Sequence, residues 1–429
     1  MDRVSNLPDE VLCHILVLAL QCNSPLKEFS LKSFTVDDTD RVDGWISNVL
    51  ARGVSDLDLK IIIRSDKWNF YPMSPKCFEC STLVKLSIGC GVDVTLAAGR
   101  IFLPMLKTLV LVWVKVCPNE FETLLRALPS LEKLVLLRVI WKGRDVIVSS
   151  ASVKTLIVNL GFWLSTLSFD TPSLVHFDYS GSAAWDYPVV NMGNLVDTQI
   201  DFYLSQLHIK LLGAPGNDED ALPYSNAWKL FHGIRNVSHL SLFPDALEVR
   251  FLIQFLVHMT KRRSSFENVI PKYIVLFCLC FQVLSMCSES LPVFNNLNSL
   301  AIRSDKDRRW QAMPALLRNC PHLETLVIQG LVHHVTDKCG DVCDCISRED
   351  KGLSLKVCPV KVMEIYGFRG TMKEMAMIKH FLDYFPSLKE MEVYAEENNN
   401  PTQLGGNQRV LEMFKLYNKL SSCNVQLFI

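Results

Sequence analysis

The stretch His333-His-Val-Thr-Asp-Lys-Cys-Gly-Asp-Val-Cys-Asp-Cys345 gathers the residue types that hold metals. Three thiolates (Cys339, Cys343 and Cys345) with the imidazole of His334 would complete a tetrahedral zinc site. The same cysteines lie close enough in sequence for a reversible disulfide. Against both readings, C-x3-C-x-C is not one of the common zinc spacings, and Asp337-Lys-Cys-Gly-Asp reads as a polar surface loop. The expectation is a structural loop and no metal.

Other chemistry is harder still to place. Gly89-Cys-Gly91 lacks the third glycine of a dinucleotide loop, the next glycine being Gly99. The sequence contains no G-x-x-x-x-G-K-[ST], H-E-x-x-H or G-x-S-x-G. Glu396 and Glu397 are paired carboxylates, but they sit in a polar run and read as solvated. The chain is expected to be a non-enzyme without a cofactor.

What the sequence repeats is a scaffold. Pro129-Ser-Leu-Glu-Lys-Leu-Val-Leu136 contains L-x-x-L-x-L, with Leu131, Leu134 and Leu136 as its apolar positions. The same spacing recurs at Leu26, Val54, Leu83, Leu106, Val153, Leu174, Val237, Leu297 and Leu323, with degenerate copies at Leu195, Val360 and Leu388. From Leu26 to Leu195 successive copies start 28, 29, 23, 25, 22, 21 and 21 residues apart. That is the period of a leucine-rich repeat, one short strand plus a helical or irregular return. One unit cannot bury its own apolar face, so neighbours must stack. The fold class is an α/β leucine-rich-repeat solenoid of parallel strands.

The returns carry helix signals in places. Trp45, Ile46, Val49 and Leu50 form a stripe closed by Gly53; Phe121, Leu124, Leu125 and Leu128 form another, closed by Pro129. Between Val153 and Leu195 the units shorten and the returns are rich in Ser, Gly and Pro, which disfavours helices. Gly213 to Asp220 is a loop by composition. The step from Val237 to Leu297 spans 60 residues, too many for one repeat; removing residues 250–282 restores a step of 27. That segment is read as an insertion. Near the end, Thr371 and Glu374 form a capping box ahead of Met375, Ile378, Phe381, Leu382 and Phe385. A helix through Val410, Leu411, Phe414 and Leu420 follows, then a last strand in which Val425, Leu427 and Ile429 alternate.

Bulk properties narrow the partners. Lys+Arg (44) and Asp+Glu (45) nearly cancel, which gives no field to attract nucleic acid or anionic lipid. The longest apolar run, Tyr273 to Leu284, falls short of the ~20 residues that cross a bilayer. Fifteen cysteines scattered through apolar segments read as free thiols, and Met1 to Glu10 lacks a secretory signal; a cytoplasmic or nuclear location follows. In a repeat strand the residues between the motif leucines face the concave side, where such arrays take partners. Val110, Val112, Val135 and Leu137 are the candidate target-binding stripe. Trp113 and Trp141 just beyond would either anchor a partner or fill the edge of the core.

The two ends carry a resemblance. Asp2-Arg-Val-Ser-Asn-Leu-Pro-Asp-Glu-Val-Leu-Cys-His-Ile-Leu16 resembles the opening of an F-box, and residues 358–429, with Lys415-Leu-Tyr-Asn-Lys-Leu-Ser-Ser-Cys-Asn-Val425, resemble an FBD domain. Together they are similar to the plant F-box/leucine-rich-repeat/FBD family. The resemblance implies a substrate-recognition subunit of a cullin-RING ubiquitin ligase. Leu7, Pro8, Glu10, Leu12, Ile15 and Leu16 would hold an SKP-type adaptor, and through it a cullin. The family's F-box continues through further helices; here Leu16 leads almost directly into the first repeat. The domain expectation is therefore a truncated F-box over 1–16, repeats over 17–345 and an FBD cap over 346–429. The alternative function is a protein-binding scaffold with no ligase link.

Overall fold

The computed structural model describes residues 26–36, 39–63, 70–96, 101–161, 164–202, 226–243, 291–304, 310, 312–331, 340–344, 351–396 and 408–429. The F-box positions, the loop at 213–220, the insertion at 250–282, and His334, Cys339 and Cys345 lie outside the described residues. The chain divides into two compact units, Met1–Phe162 with Ser168–Leu174, and Trp163–Leu167 with Val175–Ile429.

In the first unit the motif copies become parallel strands: β1 (Glu28–Val36), β2 (Asp56–Ile63), β3 (Lys85–Gly89), β4 (Thr108–Val112), β5 (Lys133–Leu137) and β6 (Thr155–Leu160). Each pairs with the next. The register aligns equivalent residues: Leu57, Leu86, Leu109, Leu134 and Leu156 form one row, and Leu59, Ile88, Leu111, Leu136 and Val158 the next. All ten are buried. The first residue of each motif precedes the strand and closes the core from the turn, as buried Leu83, Leu106 and Leu131 do.

A repeated hydrogen-bond device sets the strands in step. One carbonyl at each turn accepts two successive N–H groups of the next unit: Val84 from Lys107 (2.8 Å) and Thr108 (3.1 Å), Lys107 from Glu132 and Lys133 (both 2.9 Å), and Glu132 from Lys154 (2.8 Å) and Thr155 (3.0 Å). Backbone groups at a strand start are thus paired within the array. After β3, β4 and β5 the chain turns through a left-handed residue that is not glycine: Cys90, Trp113 and Arg138, with φ of 50°, 53° and 51°. Each donates its N–H at 2.8 Å to the following strand, at Val112, Leu137 and Asn159. Non-glycine residues there cost ~1–2 kcal/mol each, which the array absorbs to turn the chain outward. Short strands at Tyr71–Pro72, Val92–Val94, Lys115–Val116 and Ile140–Trp141 then build a second parallel ladder.

The two expected helices form. α1 (Thr39–Ala51) buries Ile46 and Val49, and Gly53 follows at φ 72°, the left-handed position a helix end favours. α2 (Pro118–Arg126) starts on Pro118, buries Phe121, Leu124 and Leu125, and pairs Glu122 with Arg126 one turn later. Among the described residues between Val153 and Leu195 there is no helix, as the composition of the returns predicts.

The second unit continues the same rule with β7 (His176–Gly181), β8 (Asp197–Phe202), β9 (His239–Leu242), β10 (Ser299–Arg303), β11 (Thr325–Gln329), β12 (Val362–Phe368), β13 (Glu390–Ala395) and β14 (Asn424–Phe428), each parallel to the next. The degenerate copy at Leu195 puts Thr198 where a leucine is expected. Thr198 is buried, and its hydroxyl donates to the Phe177 carbonyl at 3.0 Å, so its polar atom costs little. The strands flanking the 60-residue step pair directly, Leu240 opposite Leu300. Short helices α3 (Ala227–Gly233), α4 (Met313–Arg318) and α5 (Leu353–Lys356) fill returns.

The last two helices refine the expectation. α6 (Met372–Tyr384) has the capping box in full and buries Met375, Ile378 and Phe381, but also Met377 and His380, a broader stripe than the sequence suggested. α7 (Gln408–Leu420) buries Val410, Phe414 and Tyr417. Leu420 is 74% exposed, and Tyr417 takes the interior place because it lies one turn beyond Phe414 and its hydroxyl reaches the Met375 carbonyl at 2.9 Å. Ile429, placed in the last strand by its alternation with Val425 and Leu427, follows the end of β14 and is exposed.

Candidate protein-binding surface

Strand alternation sends every second side chain away from the core. In the first unit this builds two rows across the sheet: Asp58, Ser87, Val110, Val135 and Ile157, then Lys60, Gly89, Val112, Leu137 and Asn159. All four candidate target-binding residues lie in these rows, on β4 and β5. They are not equivalent. Val110, Val112 and Leu137 are half-buried, whereas Val135 is only 8% exposed, hemmed in by Val110 and Ile157 on either side. The available stripe is Val110–Val112–Leu137.

Charged side chains border it. Lys85 reaches Asp56 at 2.9 Å, Lys60 reaches Asp58 at 3.9 Å, and Glu132 sits 3.8 Å from Lys107 and 3.9 Å from Lys154. Gly89 lets the Lys60 stem lie across the sheet: a Cβ there would stand 3.2 Å from Lys60 Cγ. The apolar stripe is thus rimmed by paired charges.

The two tryptophans separate. Trp113 is 37% exposed directly after Val112, where it can extend the stripe. Trp141 belongs to the outer ladder, edge-on to Phe121 with ring centroids 5.1 Å apart. Of its two readings, the structure favours filling the edge of the core.

Of the zinc candidates, Cys343 alone is described. It is buried, in a loop tied down by other groups. Asp341 accepts from the Ser354 backbone and hydroxyl, Lys351 pairs with Asp344 at 2.7 Å, and His380 Nε2 meets the Val342 carbonyl at 3.1 Å. Burial, then the nearby Lys351 charge, pushes the His380 pKa down, so the ring is neutral and its Nε2–H donates. Among the described residues no group of three His, Cys, Asp or Glu is placed to hold a metal. No described helix is long and apolar enough to cross a membrane.

The second unit offers a different face. Asp178 and Asp201 lie on β7 and β8. Burial lifts the carboxyl of each; Asp197 adds to the effect at Asp178, and Arg303 opposes it at Asp201. Arg303 itself lies over the Phe243 ring, 5.5 Å from its centroid. Further along, Tyr366, Tyr394 and Phe428 are register partners on β12, β13 and β14. Their rings stack at 4.6 Å and 4.8 Å, with interplanar angles of 3° and 14°. Each tyrosine hydroxyl donates to a glutamate two residues earlier on its own strand, Tyr366 to Glu364 (2.9 Å) and Tyr394 to Glu392 (2.7 Å). Reading for chemistry missed this ladder. Its trace in the sequence is Met363-Glu-Ile-Tyr366 followed 28 residues later by Met391-Glu-Val-Tyr394.

Comparison with known proteins agrees with this architecture. Residues 42–188 match a family model described as the LRR repeats of the FBD-associated F-box protein At5g56370. The Arabidopsis thaliana F-box protein At3g59000 is 53% identical over 425 residues, which cover 96% of this chain and 79% of that protein. The F-box/LRR-repeat protein At5g38396 of the same plant is 47% identical over 96% of this chain and 83% of its own length. The putative F-box/LRR-repeat protein At5g38386 is 40% identical, with both chains covered in full. With strands, returns and near full-length similarity in agreement, the chain belongs to the plant F-box/leucine-rich-repeat family.

Proposed function

We propose that this protein is a non-catalytic substrate-recognition subunit of a cullin-RING ubiquitin ligase, acting in the cytoplasm or nucleus. Leu7, Pro8, Glu10, Leu12, Ile15 and Leu16 dock on an SKP-type adaptor and through it a cullin, and the repeat sheet face holds the target protein. The observation that carries the recognition half is the Val110–Val112–Leu137 stripe: apolar, partly exposed, in register, and rimmed by charge. The family supports the adaptor half, since the relatives are named F-box proteins. Buried free thiols at Cys77, Cys320 and Cys358 suit a reducing compartment.

Co-purification with an SKP-type adaptor tests the ligase link, beside a double variant carrying Leu7→Asp and Ile15→Asp. Retention of the natural sequence and loss of the variant is the expected result. Failure of both to bind favours a second reading, a repeat scaffold without a ligase connection. That reading draws on the short path from Leu16 to Leu26, which omits the F-box's remaining helices.

A further inference from the structure

The outward face of β12, β13 and β14 consists of Val362, Glu364 and Tyr366; Glu390, Glu392 and Tyr394; and Asn424, Gln426 and Phe428. It holds three carboxylates and no lysine or arginine. Glu364 and Glu392 are direct register partners, so two like charges stand side by side on adjacent strands, an unfavourable arrangement. The two phenol donors relieve it in part. Each carboxylate takes its phenol on Oε2, so Oε1 is left to receive a further donor. Tyr366 is 37% and Phe428 40% exposed, so the ladder presents an apolar rim beside the acidic row.

A planar cation on an aliphatic stem matches both features. A guanidinium carries donors in a fixed fork, and strands ~4.8 Å apart set the carboxylates at a spacing one such group can bridge. Its methylene stem packs on the ring edges. A lysine ammonium, a compact and strongly hydrated point charge, fits the paired acceptors less well. We propose that this face binds an arginine-bearing segment of the target polypeptide, with the guanidinium across Glu364 and Glu392 and the stem along the Tyr366–Tyr394–Phe428 ladder. The proposal rests on the reading of the repeat sheet as the recognition face and names the chemistry of what it recognises.

The test uses the full chain and a fluorescein-labelled Gly/Ser peptide carrying three spaced arginines, with lysine and glutamine versions as controls, read by anisotropy. The arginine peptide is expected to bind more tightly than the lysine one, and the glutamine version not to bind. The double variant Glu364→Gln, Glu392→Gln keeps acceptors for both phenols and should fold, with an unchanged circular dichroism spectrum. It should bind about tenfold more weakly or worse, the scale of a lost charge-assisted contact. Tyr394→Ala should weaken binding too, whereas Arg126→Ala, at an exposed position of α2 in the other unit, should not. An absence of binding by the natural sequence overturns the proposal. So does equal binding by the Glu→Gln pair, which would mark non-specific attraction, or a sedimentation result in which the ladder pairs two copies of this chain. These outcomes are independent of adaptor co-purification: peptide binding without adaptor binding removes the ligase reading alone, and the converse removes this inference alone.

Discussion

Thr371 and Glu374 satisfy one another across the first turn of α6: the Thr371 hydroxyl accepts the Glu374 N–H at 3.3 Å, and the Glu374 carboxylate accepts the Thr371 N–H at 2.8 Å. The same carboxylate takes the Arg369 N–H at 3.2 Å, so one buried side chain closes both the helix start and the turn from β12. Thr371→Ala is expected to destabilise the protein by about 1 kcal/mol, with Thr371→Ser close to neutral. Denaturant midpoints of the two variants decide it; equal midpoints for both would show the cap to be dispensable.

His380 makes stability depend on pH. Burial and Lys351 push its pKa below the ordinary 6.5, and the opposing pulls of Asp344, Asp383 and the Val342 carbonyl do not reverse this. The unfolded chain therefore binds the proton more readily than the folded one. The stability contributed by the neutral ring is complete above pH ~6.5 and is lost progressively as pH falls from there through the lower folded-state pKa. His380→Gln should keep a donor to Val342 and remove the titration. Melting temperatures at pH 7.5 and 5.5 are expected to differ less in the variant than in the natural protein.

Burial also governs the thiols. It pushes Cys77 and Cys320 up to about 12 and Cys358 up to about 11, far from the thiolate form at neutral pH. Among the described cysteines, maleimide labelling at pH 7.5, mapped by mass spectrometry, should mark the half-exposed Cys90 and Cys117 first. Cys77, Cys320 and Cys358 should react only after denaturant is added. Early labelling of Cys320 would contradict its burial.

The four candidate target-binding residues should divide under substitution. Val112→Asp and Leu137→Asp place a carboxylate at partly exposed sites, so the fold should survive and target capture should fall. Val135→Asp buries the charge between Val110 and Ile157 and should cost several kcal/mol. A soluble, cooperatively melting Val135→Asp protein would refute the ranking.

The fold was legible because it is written in a local rule. Each L-x-x-L-x-L places one apolar residue in a turn and two on one face of a strand, and the burial of Leu106, Leu109 and Leu111 follows from spacing alone. Helix ends were legible for the same reason: Gly53 and the Thr371–Glu374 pair act within a few residues of themselves. Similarity to relatives then extended a periodic pattern into a family.

What the linear order hides is adjacency between repeats. Val110 and Val135 look alike as strand residues, and only the lateral neighbours supplied by β4, β5 and β6 bury one more than the other. Tyr417 displaced Leu420 from the core because hydropathy ranks leucine higher, while packing rewards the residue one turn from Phe414 whose hydroxyl finds a carbonyl. The left-handed turns at Cys90, Trp113 and Arg138 carry no glycine to announce them; tertiary hydrogen bonds hold them there. The ladder of Tyr366, Tyr394 and Phe428 joins residues 28 and 34 apart. Period and capping are local energies, so the sequence by itself determined the repeat array. Stacking and charge apposition depend on register between strands, so tertiary structure alone decided which side chains its faces bring together.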